Sequence, residues 1–436
     1  MAACAGAPGA QQAGQAPAAA TSAAQEPAAA AGEKIELKLM SWDTGIGDTA
    51  KITEVTLPAF MEENPDITVT YEAPPWAEYW TKIQTLAASG GMPDAYGQSV
   101  AYGWDHANKG ISLNLQPYIE ADLNTDDYFM EMELGCHRYP NPADGDLYSF
   151  PVRWVGEWLF YNVDIFDAVG APYPDETWTY DDMLAAAKNL TKVSGDTTEI
   201  YGMVAPSGHI ALDAMIKANG GQVLSPDYKT CLLNEPEAIE SIRWAVNCVL
   251  EHKVAPTPAA LAGFPEGAFA SQAVAMILEG SYAAHNWKDA EFNWDVAYVP
   301  LGKVGRVMYA GPDSISIAKQ SAHKDAAWAL IKYWVGEKNQ MAMDDLIIGG
   351  VPFLKKAAYS DTFLNREGTP KGIQSILDMA SVGRGADFGS QWMEWRVTIM
   401  NQELDLAYLG ERSVEESVEA ATAAIQQVLD SIQWPE

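Results

Sequence analysis

Few residues in this chain stand at spacings that carry chemistry. Asp122, Asn124, Asp126 and Glu133 occupy positions 1, 3, 5 and 12 of a calcium loop, a pattern that wraps oxygen ligands around a hard cation. The sixth position is Asp127, where the sharp turn of such a loop wants glycine, so the run reads better as an Asp-rich helix start, and no metal is expected. Gly45-Ile46-Gly47-Asp48-Thr49-Ala50 matches GxGxxA between an expected strand and an expected helix, the context of a dinucleotide fingerprint with Glu72 as ribose acceptor. Glu72 lies 72 − 45 = 27 residues beyond Gly45, where about 20 is usual. The plainer reading is a glycine-rich turn at the carboxyl end of the first strand, which faces the ligand crevice of any open α/β sheet. GxSxG, HExxH and GxxxxGK[ST] are absent, and no two of the six histidines stand four apart. Among 59 carboxylates no spacing selects an acid/base pair. Neither catalysis nor a cofactor is expected.

Charge and composition narrow the classes further. Lys and Arg number 27 against 59 Asp and Glu, for a net charge of −32 over 436 residues. Such a surface repels nucleic acid and anionic lipid. No uncharged apolar run reaches the roughly 18–20 residues needed to span a bilayer. Hydrophobic residues make up 48%, enough for a large core and two or three domains of ordinary size. The chain is also rich in aromatic residues, with 15 Trp and 19 Tyr.

The elements that would position these residues alternate between strand and helix. Ile35, Leu37 and Leu39 alternate with Glu36 and Lys38 as a half-buried strand. Residues 49–64 read as a helix closed by Asn64-Pro65, and Ile67, Val69 and Tyr71 alternate again. Strand, helix, strand is the right-handed βαβ unit of an α/β sheet. Thr179 is placed to cap a helix with Met183, Ala187 and Leu190 inward. Another opens at Asn234 and Pro236 with Ile239, Ile242, Val246 and Val249 on one face. A third is expected near 323–337. Ser413 and Glu416 form a capping box for a last one with Val418, Ala421, Ile425, Val428 and Ile432 inward. Ala273–Leu278 and Ser314–Ala318 read as short apolar strands.

Residues 1–32 differ in kind: mostly Ala, Gly, Pro and Gln, with Glu26 the only charge. A segment without large apolar side chains beyond Met1 cannot offset the entropy of its own ordering, so it reads as a flexible tether with a reach of roughly 30 Å. Small residues before Cys4, followed by a polar tether, resemble the end of a bacterial lipoprotein signal trimmed to its mature start. That resemblance implies a lipidated Cys4 and an extracytoplasmic protein anchored to the cell membrane without spanning it. The other cysteines, Cys136, Cys231 and Cys248, show no metal spacing. A Cys231–Cys248 disulfide with Cys136 free, or three buried thiols, both remain open.

Several stretches resemble, in order, the extracellular solute-binding proteins of ABC importers, in the sugar-binding family similar to maltose- and glycerol-phosphate-binding proteins. They are Phe60-Met61-Glu62-Glu63-Asn64-Pro65-Asp66-Ile67, Ala88-Ser89-Gly90-Gly91-Met92-Pro93-Asp94 and Tyr161-Asn162-Val163-Asp164-Ile165-Phe166 with Gly170, Pro174 and Thr177-Trp178-Thr179. Ala275-Met276 before Gly280-Ser281 and Gly349-Gly350-Val351-Pro352 continue the series. Val169 stands where the family usually has Ala. The resemblance implies an α/β fold of two interleaved lobes joined by hinge strands, crossing near Phe150–Trp154, Met276–Ser281 and Gly349–Phe353. Lobe one would comprise 33–150 plus 281–349, and lobe two 151–280 plus 350–436. A sugar or polyol would bind between the lobes, the hinge would close, and a monomeric receptor would meet ABC permease subunits in the membrane.

Sugars present flat C–H faces edged by hydroxyls, so a site for them needs aromatic platforms and polar groups at the rim. The ligand-binding candidates are Trp42 and Asp43 after the first strand, Trp76 after the second, Gln98 after the Pro93-Asp94 turn, and Trp154 and Trp158 at the hinge. His209, Ser281, Tyr282, Gly311, Trp392, Trp395 and Arg396 complete the set. Trp158 stands either inward or toward ligand, and Arg396 reads equally as a ligand clamp or an inter-helix ion pair. The acid excess favours neutral ligands, although Arg153, Arg384 and Arg396 would suit a phosphate if they converged. The alternative class is a secreted carbohydrate-active enzyme or a lectin-like module.

Overall fold

The structure, a computed structural model, describes residues 34–43, 48–133, 135–264, 267–287, 290–342, 350–366, 369–382 and 387–434. The tether with Cys4, the Gly45–Gly47 turn and Arg384 lie outside the described residues.

The main sheet has eight strands. In chain order these are β1 (Ile35–Met40), β2 (Ile67–Glu72), β3 (Ala95–Gln98), β4 (Phe150–Asn162), β5 (Met276–Gly280), β6 (Trp294–Ala297), β7 (Ala310–Ile317) and β8 (Val351–Pro352). The expected βαβ unit is present. β1 and β2 are parallel, with Ile35 beside Ile67 and Leu39 beside Tyr71, and the helical run between them comprises Asp48–Lys51, Ile52–Thr56 and Leu57–Glu63. β3 joins β1 in parallel, and β7 closes this side antiparallel to β3.

β4 organises the whole molecule. At about 3.3 Å per residue its 13 residues span roughly 43 Å, enough to serve two lobes. Its first half pairs with β7 and, at Arg153 and Trp154, with β8. Its second half pairs with β5, from Glu157 to Tyr161, and with β6, from Leu159 to Asn162. The chain therefore forms two α/β lobes along one shared strand. Residues 281–349, all expected in lobe one, are divided by this pairing. Trp294–Ala297 hydrogen-bonds with the second half of β4, and Leu301 bridges to Thr179, whereas Ala310–Ile317 lies with β3. Val351–Phe353, expected to lead into lobe two, stays on the first half of β4, and the Phe129 amide donates to the Phe353 carbonyl at 3.1 Å.

Helix signals in the sequence have local physical counterparts. Thr179 and Asp182 form a full capping box for Tyr180–Leu190, with Met183, Ala187 and Leu190 buried. Ser413 and Glu416 do the same for Val414–Ser431, where Val418, Ala421, Ile425 and Val428 are buried. Such reciprocal capping satisfies amides that the first turn leaves without intrahelical partners. Pro236–Leu250 and Lys324–Val335 are the other two expected helices.

Cys136, Cys231 and Cys248 are all free and buried, which removes the Cys231–Cys248 bridge. Cys248 sits on the inner face of its helix with its thiol directed to the Trp244 carbonyl at 3.3 Å, while the Cys231 amide donates to Gln426. The residues at calcium-loop positions have separate partners. Asp122 accepts from Trp328 at 2.7 Å and Lys332 at 2.9 Å. Glu133 is buried and accepts from the Gly135 and His137 amides and the Arg138 guanidinium.

Candidate ligand cleft between the lobes

A cavity of about 520 Å³ opens where the two halves of β4 meet. Strand alternation builds its floor. Side chains at i and i+2 share a face, and the cavity is lined by Arg153 and Val155 of β4 and by Gly311 and Asp313 of β7, with Pro312 between them also at its edge. The Arg153 Nε donates to Asp313 Oδ2 at 2.8 Å, so the floor carries a cation already matched with an anion.

The first-lobe wall is Trp42, Asp43, Trp76 and the Ser99–Ala101 loop. Trp42 stands edge-on to Trp76 at 4.9 Å and to Tyr79 at 5.5 Å. Trp80 lies behind them and stacks on Tyr102 at 4.1 Å. Gly97 makes room for this arrangement: a Cβ there would lie 2.4 Å from Ser41 Oγ and 2.9 Å from the Trp42 ring. The Asp43 backbone bridges to Pro75, the residue before Trp76, and its carboxylate accepts from the Thr49 hydroxyl at 3.1 Å. Trp76 is 41% exposed, an accessible ring at the mouth.

The second-lobe wall is His209, Tyr282, Asn286, Tyr309, Trp392, Met393 and Val397. His209 stands edge-on to Trp392 at 5.0 Å and to Tyr309 at 5.6 Å, with Phe388 behind both. Burial and the Arg396 charge push His209 down to about 3, so its ring is neutral at physiological pH. Tyr282 is 46% exposed and donates to Glu279 at 3.0 Å. Its ring lies against Gly280, where a Cβ would be 2.3 Å away.

Of the candidates named from sequence, Trp42, Asp43, Trp76, His209, Tyr282, Gly311 and Trp392 converge on this cavity. The other six lie behind it. Gln98 is buried and engages His106 at 2.9 Å and the Ser99 amide at 3.1 Å. Trp154 and Trp158 are among the even-numbered residues of β4 and by strand alternation face away from Arg153 and Val155. Trp154 meets Phe129, and Trp158 meets Phe160. Ser281 is fully buried. Trp395 is buried and donates to the Ser390 carbonyl at 3.2 Å. Arg396 is the inter-helix ion pair: its Nε lies 2.8 Å from both Asp213 oxygens and its Nη2 2.6 Å from Oδ1.

Tyr309, Asp313 and Asn286 also line the cavity and are not among the sequence candidates. The signal for the first two was present, since counting by two in either direction from Gly311 reaches them both. Glu157, the next β4 residue on the cavity-facing parity, is wholly buried. Its Oε2 accepts from the Tyr309 amide at 3.1 Å, while Oε1 has no partner among the described residues. Burial holds this carboxyl well above the usual range, and nearby Glu279 and Asp213 add to the effect.

A family model described as bacterial extracellular solute-binding protein matches residues 43–341. The chain belongs to this family. Its lobed fold is shared with an ABC substrate-binding protein from Listeria monocytogenes solved with cycloalternan, at 24% identity and a TM-score of 0.78, covering 91% of this chain and 99% of that one. It is shared also with the sugar-binding protein MalE from Xanthomonas citri, at 19% identity and a TM-score of 0.75, covering 91% and 97%. In sequence the chain is similar to a maltotriose-binding protein of Pyrococcus abyssi, 23% identical over 326 residues, 73% of this chain and 67% of that one. Among the described residues, no helix of this solute-binding protein is long and apolar enough to cross a membrane.

Proposed function

We propose that the protein captures a neutral carbohydrate in the interlobe cleft, closes around it by bending along β4, and presents the closed form to the permease of an ABC importer. The observation that carries this reading is the pairing of aromatic walls from two lobes over a floor whose one arginine, Arg153, is matched by Asp313. Trp76, Tyr282 and Trp392 offer flat apolar faces to sugar C–H groups, while Asp43 and Asn286 offer hydroxyl partners. The matched arginine and neutral His209 disfavour a phosphorylated ligand, and Arg396 is committed to Asp213. The ligands named for two similar proteins, cycloalternan and maltotriose, are oligosaccharides. The protein acts without turnover, as a monomer held to the membrane through lipidated Cys4 and its tether.

The strand pairing supports lobe boundaries of about 34–155 with 310–366 for lobe one, and about 156–309 with 369–434 for lobe two. The test is a thermal-shift screen over sugars, polyols and glycerophosphodiesters, followed by small-angle scattering. The expected result is stabilisation by a neutral sugar with a fall in radius of gyration. Chemical conversion of that sugar, or binding without compaction, would count against the proposal.

A further inference from the structure

The cleft helix, Met393–Met400 continued by Asn401–Tyr408, carries Trp392 at its entry and supplies Met393 and Val397 to the second-lobe wall. The turn that starts it is unusual. Gln391 has φ +56°, a left-handed conformation that side-chain-bearing residues rarely hold without outside support. That support comes from the other lobe. Asp105, on the Gly103–Asn108 helix of the first lobe, is only 9% exposed. Its Oδ1 accepts from the Ser390 hydroxyl and its Oδ2 from the Gln391 amide at 3.2 Å. From this turn the Gln391 carbonyl accepts the Glu394 amide at 2.9 Å and the Trp395 amide at 3.1 Å, and the Ser390 carbonyl holds the Trp395 indole. A carboxylate at this place satisfies an amide just outside the first turn and sits at the positive end of the helix dipole. The same short helix meets the end of the chain, with Trp104 and Trp434 rings 5.2 Å apart and Asn108 donating to the Gln433 carbonyl at 3.3 Å.

We infer that Asp105 is a positioning residue that caps the cleft helix across the lobe boundary, so that approach of the lobes and the setting of Trp392 are one event. Asp105 itself does not line the cavity. Without the cap, the Ser390–Gln391 turn loses both bonds to the first lobe, and Trp392 is no longer held edge-on to His209. The inference rests on the proposed sugar-binding role only for its effect on affinity; the cap itself is independent of what binds.

The experiment compares wild type, Asp105→Ala, Asp105→Asn and Ser390→Ala as full chains by amide hydrogen exchange and by maltotriose titration. Asp105→Ala is expected to speed exchange in a peptide covering 388–396 at least tenfold and leave the Val414–Ser431 peptide unchanged. Ser390→Ala, which keeps the Gln391 bond, should give a smaller increase in the same peptide. Asp105→Asn, which keeps one acceptor oxygen, should fall between wild type and Asp105→Ala. Maltotriose affinity should fall about tenfold in Asp105→Ala. Unchanged exchange at 388–396, exchange raised equally through Val414–Ser431, or unaltered maltotriose affinity in Asp105→Ala overturns the inference. If wild type does not bind maltotriose, the sugar reading fails for that sugar, and the exchange comparison decides the cap by itself.

Discussion

On the first-lobe wall Trp42 is held by other rings: Trp76, Tyr79 and Trp80 lie within 5.7 Å of it, and Trp80 in turn stacks on Tyr102. On the second-lobe wall Trp392 also packs on rings, His209 and Phe388, but the segments that carry these rings are tied down by buried charges. Arg396 pairs with Asp213, Lys217 pairs with Asp387, and the turn before Trp392 is gripped by Asp105 from the opposite lobe. Ring packing is weakly directional and needs no partner from outside the lobe. Ion pairs and caps are directional, and a buried charge left without its partner is costly. The first wall is thus held within its own lobe, whereas the second adds to its own ion pairs one contact from the other lobe, the Asp105 carboxylate on Ser390 and Gln391.

Breaking one wall at a time tests this contrast. Arg396→Ala should have the largest effect, because it strands the buried Asp213 carboxylate; about 3–5 kcal/mol of stability is expected to be lost, read by denaturant unfolding. Trp42→Ala leaves a void in a ring cluster and should cost about 3 kcal/mol, with sugar binding lost as well. A loss for Trp42→Ala exceeding that of Arg396→Ala would reverse the contrast.

Glu157→Gln probes the hinge between the walls. The native carboxyl holds its proton to a higher pH than the unfolded one, so wild-type stability falls as pH rises above the unfolded carboxyl range, and the glutamine removes that fall. The variant should gain on wild type by up to about 1.4 kcal/mol per pH unit above roughly pH 4.5, measured as the difference in unfolding free energy. A constant difference across pH would mean that Glu157 is ionised in the folded protein.

Trp76→Ala should change stability by less than about 0.5 kcal/mol, since the ring is 41% exposed, yet weaken sugar binding about tenfold by calorimetry. The smallest effect is expected from Gln391→Gly. Relief of the positive φ should raise the melting temperature by no more than a few degrees, corresponding to at most about 1 kcal/mol.

Legibility from sequence followed the range of the interaction. The capping boxes at Thr179 and Ser413 and the alternation in β1 and β2 depend on neighbours a few residues away, and they were readable. Among the residues proposed for the site, those beside a turn or loop line the cavity: Trp42 and Asp43 after β1, His209 after Gly208, Tyr282 after Gly280. Trp154, Trp158 and Trp395 are candidates by residue type, while the face on which each stands is a matter of parity or helix phase. Parity on β4 and β7, rather than aromatic character, points to Val155, Tyr309 and Asp313 in place of the two hinge tryptophans. Arg396 could not be resolved this way, because its partner Asp213 is 183 residues distant.

By itself the sequence determined the α/β character, the order of motifs that marks the solute-binding family, the acidic surface and most of the rings that reach the cleft. These depend on local periodicity, turn chemistry and composition, which each segment carries alone. Tertiary structure decided which strands pair with each half of β4, that Cys231 and Cys248 stay apart as free thiols, and that Arg396 serves Asp213 while Arg153 meets Asp313 in the floor. It also decided that Asp105 reaches the helix of the opposite lobe. Each of these is a contact between residues far apart in the chain, set by how β4 is shared and how charges find partners once water is excluded.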